Sequence, residues 1–110
     1  MGDTPYVQAL PDQSGTRIIV CSGEFDIDSQ GALDHALRAA FSDGVTWTVL
    51  DMEHVSFADS SVLNTLLMAH RRQHLVLAGP LAPQITRLFA MTGVDTVLNI
   101  TADLTSACTR

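Results

Sequence analysis

Lysine is absent from this sequence, and its six arginines face twelve aspartates and glutamates, for a formal charge of -6. A chain of that sign repels phosphates, so nucleic acid and anionic membranes are poor partners, and a basic or mixed protein surface suits it better. Cysteine is scarce as well. Cys21 and Cys108 stand far apart without metal-type spacing, so neither a disulfide nor a thiolate zinc site is expected, and both read as small buried apolar side chains. No apolar run approaches the roughly 18 to 20 residues of a membrane span, and the opening Met1 to Tyr6 has neither the basic start nor the apolar stretch of a secretory signal. A soluble, cytoplasmic chain is expected. Repeats, low-complexity tracts and interdomain linkers are also missing, and with 46% apolar residues a length of 110 supplies one core. These features predict one domain over residues 1–110, with residues 1–4 as a disordered tail, as a monomer or weak dimer without a cofactor.

What is present reads as strands and helices in alternation. A weak strand over 5–10 and a β-branched strand over 16–22 flank the turn-rich Pro11 to Gly15 and predict an opening hairpin. Asp28 or Ser29 then caps a helix whose Ala32, Leu33, Ala36, Leu37, Ala40 and Phe41 share one face, and Asp43-Gly44 ends it. Val45 to Asp51 predicts a central strand with both faces covered, followed by a loop over 52–59 and a helix from Ser60 to Arg72. A strand over 74–78, a helix opened by Pro83 and closed by Gly93, a strand over 94–100 and a terminal helix started by Thr101 or Asp103 complete the chain. That order predicts an α/β domain with a mixed, mostly parallel sheet of four to five strands and about four helices. In such folds functional residues gather where strands end and helices begin, which draws attention to the segment before Ser60.

That segment, Val49-Leu-Asp-Met-Glu-His-Val-Ser-Phe-Ala-Asp-Ser-Ser-Val-Leu-Asn64, resembles the signature of the STAS domain family of anti-sigma factor antagonists. Gly23-Glu24-Phe25-Asp26 resembles the family's Gly-x-(Leu/Phe)-Asp, and Ile85, Arg87, Leu88, Phe89, Thr92 and Gly93 resemble its third helix. The resemblance runs from about residue 5 to the end. It implies that Ser60 is a phosphoacceptor, with Ser61 as the second choice. It also implies that the unmodified domain captures an anti-sigma factor, itself a serine kinase, and frees a sigma factor, until phosphorylation breaks the complex and a phosphatase restores it. Asp26, Asp59, Ser61, Val62 and Asn64 are then the partner-binding positions. Members commonly carry glycine at the places of Val62 and Asn64, so two larger side chains are expected on the docking face.

Plainer readings exist for each of these residues. Asp59-Ser60-Ser61 is also a good helix cap, and capping by Asp59 is compatible with phosphorylation of Ser60. Physical sense supports the implied site, because an anion in the first turn of a helix meets free N-H groups and the positive end of the dipole. Glu24, Asp26 and Asp28 form a cation site, a partner loop or simply a turn with a cap. His35, His54, His70 and His74 lack the paired spacing of zinc ligands, and the residues around Ser60 lack a nucleophile elbow, so no catalytic or metal residue is assigned and the chain reads as a non-enzyme. Trp47 and Phe57, set among apolar neighbours, are expected in the core. The alternative is a STAS scaffold or interaction module of a signalling or transport complex whose serine is never modified.

Overall fold

The computed structural model describes residues 3–109. The opening hairpin pairs β1 (Tyr6–Ala9) with β2 (Thr16–Phe25), and α1 (Gly31–Ser42) leads to β3 (Trp47–Ala58) and α2 (Ser60–Arg72). Next come β4 (Leu75–Ala78), α3 (Pro83–Thr92), a single 3-10 turn (Val94–Thr96), β5 (Asn99–Thr101) and α4 (Leu104–Cys108). The five strands lie in chain order, β1 antiparallel to β2 and the rest parallel, with β3 in the centre. This is the mixed, mostly parallel α/β sheet that the alternation of elements predicts.

Side chains alternate across the sheet and build two unequal layers. On one face α1, α2 and α3 bury Leu33, Leu37, Leu66, Ala69, Ile85 and Phe89 against Ile19, Leu50, Met52 and Leu77. On the other, only α4 packs, with Ala107 and Leu104 over Val49, Val76 and Ala78, and Ile18 and Trp47 beside them. Among the described residues, no helix is long and apolar enough to cross a membrane.

Several boundaries differ from the expectation. The segment after Asp51 is not a loop: β3 continues to Ala58, paired with β2 as far as Phe25 opposite Ala58. Neither Asp28 nor Ser29 caps α1. The Asp26 carboxylate takes the N-H groups of Asp28 and Ser29 at 3.0 and 3.1 Å, forming a turn that delays the helix until Gln30 stands at its cap. Residues 94–96 form a 3-10 turn and shorten the last strand to Asn99–Thr101, because Gly93, at φ +79, closes α3 and turns the chain. Asp103, not Thr101, caps α4 by accepting from Ser106 N-H at 2.8 Å.

Single residues also move. Cys21 is buried, but Cys108 is exposed at the end of α4. Phe41 is 50% exposed and Phe57 37% exposed, so neither belongs to the core. The Phe41 ring instead lies 5.7 Å from the Arg72 guanidinium, which packs Arg72 against α1 while Arg71 stays exposed. Of the expected tail, Met1 and Gly2 lie outside the described residues, while Asp3 accepts from Glu24 N-H at 3.2 Å and donates its own N-H to the Glu24 carboxylate at 2.8 Å.

Candidate functional site

The first turn of α2 begins one residue after the long central strand stops. Asp59 sits between them in an extended conformation and caps the helix. Its Oδ1 accepts from Ser61 N-H at 3.0 Å, Val62 N-H at 3.4 Å and the Ser61 hydroxyl at 2.5 Å. Its Oδ2 reaches across to Ile27 N-H at 3.1 Å, so one carboxylate joins the start of α2 to the turn that precedes α1. Burial opposes the charge on Asp59, but the bonds from the Ser61 hydroxyl and the three N-H groups outweigh it and hold the carboxyl below its ordinary range. Asp59 is therefore a fixed negative charge at this point of the surface.

The two serines differ in kind. Ser61 is half-buried, its hydroxyl given to Asp59 and its carbonyl accepting from Thr65 at 3.2 Å. Ser60 is exposed, and among the described residues nothing engages its hydroxyl in a side-chain hydrogen bond. A serine oxygen that is to gain a substituent, giving up only its proton, has to be reachable and unspent. Only Ser60 meets both conditions.

Asp26 is exposed and faces its own turn, where it also holds the Ser29 hydroxyl at 3.0 Å, and the neighbouring Ile27 brings that turn against Asp59. The turn reading of Asp26 and Asp28 is the one the geometry shows, and among the described residues no three His, Cys, Asp or Glu side chains gather as metal ligands. Asn64 is exposed one helical turn after Ser60. Val62, expected on the docking face, is 1% exposed and packs in the main core. Its position in the first turn points inward, so of the two larger side chains only Asn64 stands on the outer surface. Of the first-turn N-H groups expected to be free for an anion, those of Ser61 and Val62 already bond to Asp59.

Two neighbours of the site carry no sequence signal. Ile27, whose backbone N-H reaches Asp59, leaves its apolar side chain 70% exposed. Gln84, from the first turn of α3, grips the backbone of Ala58 through both ends of its amide. Gln30 completes the frame by accepting from the Thr65 hydroxyl at 2.6 Å, which ties α1 to α2.

A single α/β domain with a strand-end serine at the start of its second helix defines the class. The chain belongs to the STAS family: the family model described as "Mlab, STAS domain" matches residues 9–102. Among solved structures, an anti-sigma factor antagonist from Mycobacterium paratuberculosis is similar, at 24% identity and a TM-score of 0.86 over 97% of this chain and 93% of that one. The anti-sigma factor antagonist SpoIIAA in its unphosphorylated form is 20% identical, with a TM-score of 0.75 over 92% of each chain. The Bacillus cell fate determinant SpoIIAA in its phosphorylated form is 20% identical, with a TM-score of 0.68 over 92% of this chain and 96% of that one. These likenesses establish the fold. A comparison with curated proteins gave no match.

Proposed function

We propose that this chain is a cytoplasmic anti-sigma factor antagonist that works by reversible protein binding and not by catalysis. Unmodified, it binds an anti-sigma factor of the serine kinase type and so releases a sigma factor. Phosphorylation of Ser60 abolishes the complex, and a serine phosphatase restores it. The observation that carries this reading is the exposed, unengaged Ser60 hydroxyl beside a Ser61 hydroxyl already committed to Asp59. Support also comes from the company of the fold, since SpoIIAA is known in both a phosphorylated and an unphosphorylated form.

The cap defines how the switch acts. A phosphate adds about -1.5 to -2 charges at pH 7, and the Ser61 and Val62 N-H groups that would neutralise it are held by Asp59. The new charge therefore faces outward beside a fixed carboxylate, and it acts on the partner by repulsion while the helix keeps its cap. Incubation with ATP and the anti-sigma factor kinases of the same genome, taken one at a time, should place one phosphate on Ser60 by mass spectrometry. Ser60→Asp should weaken binding of that kinase at least tenfold, while Ser60→Ala keeps it; label elsewhere, or equal affinities, would reject the switch. The same occupied cap motivates a second reading, an interaction module whose serine is not modified, and the absence of label with every kinase would favour it.

A further inference from the structure

β4 pairs with β3 only from Thr48 to Asp51, so beyond Asp51 the central strand has a strand neighbour on the β2 side alone. Its last residue, Ala58, is fully buried, and opposite β2 it turns a backbone N-H and a carbonyl toward α3. Gln84 meets both. Its Nε2 donates to the Ala58 carbonyl at 2.8 Å, and its Oε1 accepts from the Ala58 N-H at 3.1 Å. The side chain thus stands in for one residue of a missing strand. The next residue along the chain is the cap Asp59, and the one after it is Ser60.

We infer that Gln84 is a positioning residue for the Ser60 turn: it fixes where β3 stops and thereby where the cap and the serine hydroxyl stand. The inference rests on the reading of Ser60 as the modified serine for its functional consequence, but not for its structural content. The chemistry of the grip is selective. Ala58 presents one donor and one acceptor, and a carboxamide is the side chain that complements both. A carboxylate at the same place would set an anion against the Ala58 carbonyl, and a methionine would fill the space while satisfying neither group. Asp59 holds the turn from the α1 side through Ile27, and Gln84 holds it from the α3 side. Without Gln84 the strand end keeps its pairing with β2 and the Asp59 contact but loses its hold on the α3 side, and the serine hydroxyl samples more positions than a kinase can use.

Two measurements on the whole chain test this, on wild type, Gln84→Met, Gln84→Glu and the exposed α3 control Arg87→Ala. In amide hydrogen exchange, Gln84→Met should speed the amides of Ala58 to Val62 by about tenfold beyond the change seen in the core amides of Leu50 and Leu77. Gln84→Glu should do so by more, and Arg87→Ala not at all. Equal factors at the turn and in the core would mean that Gln84 supports only global stability, which overturns the proposal. With the kinase that labels wild type, Gln84→Met should lower kcat for phosphate transfer several-fold at unchanged KM, and an unchanged kcat overturns the functional half. If no kinase labels wild type, the reading of Ser60 fails, and the exchange experiment still decides whether Gln84 holds the turn.

Discussion

At the scale of single residues, Asp59 does the most with one side chain, because it satisfies the first N-H groups of α2, the Ser61 hydroxyl and the N-H of Ile27 together. Asp59→Ala should cost about 1 to 2 kcal/mol in urea unfolding, the usual loss for a helix cap plus an orphaned cross-turn donor. Because its folded carboxyl is held below the ordinary range, its stabilisation is complete above the unfolded value of about 3.9 and is lost as pH falls through the lower folded value. Wild type should therefore lose stability more steeply than Asp59→Asn as pH falls below about 4, and parallel curves would refute the assignment. Asp59 and Ser60 were legible because polar residues before an apolar periodicity mark a helix start. The inward turn of Val62 was legible from the same periodicity, since positions 62, 63, 66 and 69 share the buried face, but comparison with family glycines drew it outward instead. Gln84 was not legible, because nothing in the sequence tells which backbone lacks a neighbour.

At the scale of elements, the motif Gly23-Glu24-Phe25-Asp26 acquires separate physical causes. Phe25 is core at 1% exposure, Asp26 makes the turn, and Gly23 has φ +93 where a Cβ would lie 2.2 Å from the Thr4 carbonyl oxygen. Gly93 also has a positive φ, +79, but a Cβ there meets only open space. Gly93→Ala should thus cost about 1 kcal/mol, the strain of a left-handed residue alone. Gly23→Ala adds a backbone clash, and should cost clearly more or detach the segment at Asp3 to Pro5; equal thermal stabilities of the two variants would refute the close approach. The extension of β3 past Asp51 escaped pattern reading for a related reason. Between Val20 and Ser22, and again between Gly23 and Glu24, β3 carries one more residue than β2. These bulges put Met52, Val55 and Ala58 inward at every third position, so the period-two signature of a strand disappears just before the site.

At the scale of the whole molecule, the two layers carry unequal shares of stability. The three-helix face holds the large core, and the short α4 alone covers the other, with Leu104 and Ala107 beside the half-buried Trp47. Trp47 is the only tryptophan and lies 4.9 Å from the His74 ring, so its fluorescence reports the α4 side and not the Ser60 end. Leu104→Ser should shift Trp47 emission to the red under native conditions while costing about 1 to 2 kcal/mol, the low end for a half-buried leucine. Ile85→Ala, in the main core that supports α3 and hence Gln84, should cost about 2 to 5 kcal/mol and leave native emission unchanged. The asymmetry follows from topology: the crossovers after β2, β3 and β4 place their helices on the face that also carries the start of α2, so Ser60 stands on the better-packed layer. If Leu104→Ser instead destabilised the chain as much as Ile85→Ala, α4 would be part of one cooperative core and the layers could not be ranked.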